Sequence, residues 1–311
     1  MTFSLDLSEL SVVFISYDEP DADRNFALLQ AAAPHAIRVH GVKGFDAAHR
    51  QAGKVATSAH VITVDGDNRL TEPDFFARRL RLTPRDLTSV VSFAARLPHN
   101  GLVYGNGGIK IWPRVMLRTL RTHEASHDAG PGVDFAWRIP YVQAFGAPSD
   151  SVVTATPFQA FRAGLREGVR LTVQNGVTAA TQFPDLPPGA ALRAHVAESV
   201  IERLAIWCSV GSDAPNGAYA ILGARMGCVM AMLDRFDIQR IADFDWIEAF
   251  WNGTVAPATA TAAGLQAELA RFAARTTSEL DLRVDYLSPD ASAFVKSIYR
   301  APQRLGTLLP Q

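Results

Sequence analysis

The sequence predicts an α/β fold: a sheet flanked by helices, followed by a largely helical C-terminal portion. Three observations predict it. Apolar, β-branched runs alternate with helix-length amphipathic segments from Leu10 to Val64, the pattern of βαβ units and a parallel sheet. From Pro157 onward the strand-like runs give way to long helical patterns. The chain has 311 residues, 48% of them hydrophobic, which is enough to bury a sizeable core in one large domain or two smaller ones.

"LSVVFISY" (10–17) reads as a buried strand ending in the acidic turn "DEPDAD". An apolar-periodic helix follows over 23–33, then the short strand "AIRVHG", the helix "GFDAAHRQAGKVA" and a third strand, "AHVITV". Beyond them, "DLTSVVSFAA" and the glycine-rich "NGLVYGNGGIKIWPR" read as strands, with Pro113 opening a helix at its first position. "VDFAWRIPYVQAFG" and "SVVTAT" read as further strands. The helical half comprises "PFQAFRAGLREGVRL", "ALRAHVAESVIERLAIW", "NGAYAILGARMGCVMAML" and "AAGLQAELARFAARTTSEL". In the second of these Leu192, Val196, Val200, Leu204 and Trp207 would form one stripe. "PDLPPG" (184–189) and 253–264 read as linkers. No internal repeat is present.

Several function classes fall away. No apolar run reaches the roughly 18 residues of a membrane span, and the N-terminus lacks a basic, secretory-type leader. The expectation is a cytoplasmic protein with no membrane partner. Cys208 and Cys228 sit in apolar helical contexts and read as reduced core thiols. His123-Glu124-Ala125-Ser126-His127 matches a zinc-hydrolase pattern, but "DAGPGVD" immediately breaks the helix that pattern requires.

Net charge is −1, so the distribution carries the information. Residues 76–123 hold nine basic residues against one acid, Asp86. Lys110, Arg114, Arg118 and Arg121 recur at helical spacing and would share a face. Such a patch can follow a phosphate backbone, or be a solvated helix face.

The chemistry-bearing motif is Asp65-Gly66-Asp67, directly after the third strand. In parallel sheets ligands bind beyond the carboxyl ends of the strands, which puts Tyr17, Asp18 and Glu19 on the same edge. Adjacent carboxylates suit a divalent cation, or form a solvated turn. A calcium hand fails, because Arg69 and Phe76 stand where further oxygen ligands are needed. Arg162 and Arg166, one helical turn apart, can clamp phosphate or simply decorate an amphipathic helix.

In order, the motifs "SYDEP", "RVHGVKG", "VDGDN", "NGLVYGNGGIKIWP", "VDFAW", "FRAGLREGVRL" and "RLAIWCSVGSDAPNGAYAILGARMG" resemble the GT-A-fold glycosyltransferases of bacteriophages and related bacterial loci. Among these the chain looks most like the group associated with phage DNA hypermodification. The resemblance implies a GT-A-like (Rossmann-like) mixed sheet, with residues 1–155 as the nucleotide-sugar core and 156–311 completing the active site. It implies a metal-dependent hexosyltransferase using Mn²⁺ or Mg²⁺ and a UDP-linked sugar. The implied acceptor is 5-hydroxymethylcytosine in double-stranded DNA; protein or cell-surface glycan is the alternative, as is a silent DNA-binding module.

Residue by residue, the resemblance makes Asp65 and Asp67 the metal pair, Asp67 the more direct ligand. It puts Tyr17, Asp18, Lys43, Gly44, Gly107, Gly108 and Arg162 around the nucleotide sugar. It gives Asp134, Arg166 and Glu167 catalytic roles, with Asp134 the base of an inverting reaction. Arg78, Arg79, Arg81, Lys110, Arg114 and Arg118 would meet the DNA. His195 is a weaker third metal ligand, since its helical setting suggests packing.

Overall fold

The structure is a computed structural model and describes residues 2–105, 107–122 and 139–299. Its N-terminal part contains β1 (Phe3–Asp6), β2 (Ser11–Ser16), α1 (Ala22–Ala32), β3 (Ile37–His40), α2 (Phe45–Val55), β4 (His60–Asp65), β5 (Asn68–Leu70), β6 (Arg79–Leu82) and β7 (Val90–Ser92). There follow β8 (Ala95–Arg96), β9 (Val103–Tyr104), β10 (Ile109–Pro113), α3 (Arg114–Arg118), β11 (Tyr141–Gln143) and β12 (Ser149–Ser151). The helical portion holds α4 (Pro157–Arg170), the hairpin β13 (Val173–Gln174) and β14 (Val177–Thr178), α5 (Ala179–Gln182), α6 (Pro188–His195), α7 (Glu198–Trp207) and α8 (Gly217–Leu233). After it come α9 (Phe244–Phe250), α10 (Ala256–Ala258), α11 (Ala262–Leu280) and α12 (Pro289–Ile298). No described helix is long and apolar enough to cross a membrane.

The main sheet has the order β11-β7-β10-β4-β2-β3. β2 runs parallel to β3 and β4, as the alternating pattern predicts. β10 is antiparallel to both β4 and β7, so the sheet is mixed, as expected. Both faces are covered, which is why β2 and β4 read as nearly continuous apolar runs. One face, with Val12, Phe14, Ile62, Val64 and Ile111, packs on α1 and the segment around Phe75 and Phe76. The other, with Val13, Ile15, Val61 and Trp112, packs on α2 and α3.

The expected common face of Lys110, Arg114, Arg118 and Arg121 does not exist. Lys110 lies in β10, and α3 spans only Arg114–Arg118. Pro113 closes the strand and stands at the helix N-cap. Residues 191–207 are likewise not one helix: α6 ends at His195 and the chain is extended at Val196 and Ala197. The His195 imidazole meets the amide of Gln174 at 3.1 Å and the carbonyl of Val177 at 2.9 Å, docking the end of α6 on the hairpin. Leu192, Val196, Leu204 and Trp207 still reach the same core, from two helices. Both expected linkers contain helix. Pro188 takes the N1 position of α6, where a missing N–H costs nothing, and a π-turn over Trp251–Val255 leads into α10.

The helical portion is organised by α4 and α8. α8 is apolar all round, as a fully buried helix must be, and its one charged residue, Arg225, is 1% exposed. The Arg225 guanidinium donates to the carbonyls of Cys208 (2.8 Å) and Leu269 (2.6 Å). The helices meet through glycines. A Cβ on Gly164 would lie 2.0 Å from the Ala220 carbonyl oxygen, and one on Gly168 2.2 Å from that of Ala224. Reciprocally, Gly223 faces Phe161 O and Gly227 faces Leu165 O, each at 2.3 Å. Only glycine permits backbones this close.

Gly164→Ala and Gly223→Ala should each destabilise the protein by about 1–3 kcal/mol, the range for overpacking. Gly253→Ala, with nothing within 4 Å of its virtual Cβ, should stay within about 0.5 kcal/mol of the parent. Chemical denaturation midpoints check both.

Candidate functional site

β4 delivers Asp65 to the carboxyl edge of the sheet, and the chain turns through Gly66 and Asp67 into β5. The turn is fixed from below. Asn68, 3% exposed, accepts from the Gly108 amide at 3.2 Å and from the Ser149 hydroxyl at 2.8 Å. The Asn25 side chain donates to the Gly66 carbonyl at 2.9 Å. Gly108 is in van der Waals contact with Asn68, and Gly107 sits against the backbone of residues 93–95. Both glycines are buried, so they form the floor of the turn rather than an open wall.

Three carboxylates converge here. The Glu19 carboxylate lies against Gly66 and accepts from the Tyr17 amide at 2.8 Å. Asp65 is about one-third exposed, and its Oδ2 is 3.6 Å from the Lys110 ammonium. Lys110 is 3% exposed and donates to the Gly107 carbonyl at 2.8 Å. Asp67 accepts from the Asn68 side chain (2.7 Å) and the Ser151 hydroxyl (3.2 Å).

The electrostatics distinguish these acids. Burial pushes Asp65 above the usual carboxylate range, and Lys110 opposes the shift. Burial also raises Asp67, and the charge of Asp65 adds to it; the Arg162 guanidinium is near enough to pull the other way. Glu19 is raised by burial and by the charges of Asp67 and Asp18. Asp65 has an ammonium for company, whereas among the described residues Asp67 has only neutral donors in contact. Asp67 is therefore the carboxylate most in need of a cation.

The helical portion closes the mouth of this edge. Arg162 on α4 stacks over Phe158 and Phe244 at 5.5 and 5.2 Å, and Arg166 over Phe244 at 5.2 Å. Lys43 pairs with Asp245 of α9 at 3.0 Å, beside the half-exposed Tyr17. Gly44, at φ 97°, starts α2 behind Lys43. Sequence reasoning missed Phe244 and Asp245, whose proximity to Lys43 and Arg162 appears only in three dimensions.

Glu167 faces elsewhere. The Tyr104 hydroxyl donates to one of its oxygens and Arg170 to the other, at 2.8 Å for the latter. Trp207 donates to Tyr104 at 2.8 Å. Both Glu167 oxygens are occupied by this interior network, which suits a group that positions α4 better than one that meets substrate. Asp134 and the His123–His127 motif lie outside the described residues.

The six cations expected to meet DNA are dispersed. Lys110 is buried beneath Asp65 and cannot reach a duplex, a correction that follows from its place in β10. Arg114 donates to the carbonyls of Gly53 (3.1 Å) and Thr57 (3.3 Å). Arg78 pairs with Glu72 at 2.5 Å and Arg79 with Asp6 at 2.9 Å. Arg81 is exposed on β6, which pairs with β1 outside the main sheet, and Arg118 ends α3 against Gly53.

An oxygen-only donor set suits Mg²⁺ or Mn²⁺. Among the described residues no group of three or more His, Cys, Asp or Glu side chains is arranged to hold a metal unaided. Asp65 and Asp67 fit an ion whose remaining positions are filled by phosphate oxygens and water, the usual mode for Mg²⁺ at phosphate-transfer sites.

No protein-family model matches the chain, and no curated protein matches it. Among solved structures it is similar to a mannosyltransferase, PcManGT from Pyrobaculum calidifontis, in complex with GDP-Man and Mn²⁺. The identity is 13% and the TM-score 0.34, over 86% of this chain and 87% of that one.

The raised acids carry a pH signature. The folded, metal-free protein holds the Asp67 proton to higher pH than the unfolded chain does. Its stability should therefore fall as pH rises from about 4 through the raised native value, then level off. Asp67→Asn should lessen that decline, leaving the share of Asp65 and Glu19, and raise the neutral-pH melting temperature by roughly 2–4 °C, about 1 kcal/mol. Thermal melts in chelator across pH 4–7 check it.

Proposed function

We propose that the chain is a metal-dependent transferase that moves a sugar from a nucleotide-sugar donor to a hydroxyl acceptor. The observation that supports it is the half-buried carboxylate turn Asp65–Asp67, built on the sheet's carboxyl edge, with the Arg162 charge near enough to act on Asp67. Carboxylates crowded together and half-buried are costly to keep ionised, and the backbone of this turn is held by Asn25, Asn68, Ser149 and Gly108. A divalent cation bound there would neutralise the charge that develops on the departing diphosphate.

The chain's own residues have definable parts in this reading. Asp67 holds the cation directly, and Asp65 holds it while tethered to Lys110. Arg162 and Arg166, aligned by Phe244, offer guanidinium groups to phosphate oxygens. The exposed ring of Tyr17 offers a flat face to a nucleobase, with Asp18 and Lys43 beside it and Gly44 behind. Glu167 fixes the register of α4 through Tyr104 and Arg170. The diphosphate is common to UDP- and GDP-linked donors, so the proposal fixes the donor class and not its base.

For the acceptor, the proposal stops at a hydroxyl group. A hydroxymethylcytosine acceptor in DNA would need a continuous basic surface beside the acids. Most of the cations expected to supply it are buried, bound to carbonyls or paired with acids, and they are divided among residues 78–81, β10 and α3. Affinity for hydroxymethylated duplex should accordingly be weak and nearly independent of salt, with a slope well short of the six to ten phosphate contacts of specific binders.

Calorimetry with nucleoside diphosphates and Mn²⁺ tests the donor site. Binding should require the metal, fall at least about 100-fold in Asp67→Ala, and fall about tenfold or more in Arg162→Ala, a charge-assisted contact of about 1.5–3 kcal/mol. Metal-independent binding, or wild-type affinity in Asp67→Ala, would sink the reading.

A further inference from the structure

A cavity of about 320 Å³ adjoins the acidic turn and has no part in the site described so far. Its wall includes Asp21, Arg69, His99, Val153, Ala155 and Ala214. The connection to the turn is direct. The amide of Val152, which also lines the cavity, donates to the Asp67 carbonyl at 2.9 Å. Arg69 is two residues past Asp67, and Asp21 two past Glu19.

The charges around the cavity are nearly all accounted for. Arg69 pairs with the buried Asp150 at 2.6 Å, and Arg96 pairs with the same carboxylate at 2.7 Å. Burial and the nearby Lys296 push His99 down to about 3, so its ring is neutral. Lys296 itself is paired with Asp213. Asp21 is the exception: among the described residues its carboxylate makes no hydrogen bond or ion pair. It precedes α1 yet does not cap it with its side chain. The carboxylate thus has no visible structural task, and it lines a cavity beside the metal turn.

We infer that this cavity is the acceptor subsite, that it takes an uncharged, hydroxyl-bearing ring of monosaccharide size, and that Asp21 is the catalytic base. The inference rests on the transferase reading of Asp65 and Asp67. The volume is at the small end of ligand pockets, room for about one ring. The walls from Val153, Ala155 and Ala214 suit the apolar face of a pyranose. An anionic acceptor would meet the Asp21 carboxylate unfavourably, and Arg69, held to Asp150 at 2.6 Å, is turned away from it. In the reaction the acceptor oxygen bonds to the anomeric carbon of the donor. The bond from that carbon to the diphosphate oxygen breaks, and its electron pair leaves with the nucleoside diphosphate. The hydroxyl proton passes to the Asp21 carboxylate.

The test uses the full chain and two independent readouts. Saturation-transfer NMR with methyl glycosides of glucose, galactose, mannose and N-acetylglucosamine reads the cavity without any donor. At least one glycoside should give signals that vanish in Ala155→Trp and in Ala214→Phe, two substitutions that fill the cavity from different segments. Mn²⁺-dependent binding of GDP, UDP, GDP-mannose and UDP-glucose should change less than about twofold in both variants, as for a separate subsite. Transfer to that glycoside should lose about 10²–10⁴-fold in kcat in Asp21→Asn, the usual contribution of a general base, with KM changed less than about threefold. Absence of signal from every glycoside, or equal signals in the filled variants, overturns the subsite. Loss of nucleotide-sugar binding on filling, with glycoside signals intact, overturns it in favour of a donor-sugar pocket. Unchanged kcat in Asp21→Asn overturns the base. Intact glycoside signals without any metal-dependent nucleotide binding would instead break the transferase reading alone.

Discussion

The close contact of α4 with α8 governs much of what the molecule can do. Gly164 and Gly168 on one helix, and Gly223 and Gly227 on the other, bring the backbones together without intervening side chains. That fixes the height and rotation of α4. Its Arg162 and Arg166 side then faces α9 and the acids of the sheet edge, while Glu167 points back to Tyr104 and Arg170. An ordinary ridges-into-grooves contact would set the axes about 8–10 Å apart and displace both arginines.

The second constraint is the tension held in the acidic turn. Burial disfavours ionised Asp65 and Asp67, and the charge of Asp65 adds to the cost at Asp67. The fold tolerates this because Asn25, Asn68, Ser149 and Gly108 hold the backbone of the turn, and Lys110 offsets one of the charges. Stability given up at one point and secured around it is the usual mark of a site shaped for a ligand. The same logic separates Asp150 from the pair. Asp150 is also buried, but Arg96 and Arg69 outweigh the burial and hold it below the usual carboxylate range. It is a structural ion, complete without any ligand.

Charge counted along the chain misled, for a physical reason. Nine cations in residues 76–123 look like a patch in one dimension. In space, β6, β10 and α3 carry them to different faces, and local acids and carbonyls absorb most of them. Helical spacing from Lys110 to Arg121 meant nothing once Lys110 proved to be a strand residue, its pairing with Thr63 of β4 fixing it beneath the acids.

What the sequence determined by itself was local and periodic. The apolar runs ending at Ser16 and Val64, the helices between them, the helical half after Pro157 and the acidic turn at a strand's carboxyl end all follow from side-chain patterning that each segment carries alone. The tertiary structure decided everything that depends on partners distant in the chain. It made β10 antiparallel and the sheet mixed, and it split residues 191–207 at the point where His195 docks on a hairpin. It turned Glu167 inward, and it brought Phe244 and Asp245 to Arg162 and Lys43 across 82 and 202 positions. It also placed Asp21 at a cavity, its carboxylate without a hydrogen bond or ion pair among the described residues. A single carboxylate in an acidic turn looks like any other in sequence; only its setting in space tells it apart.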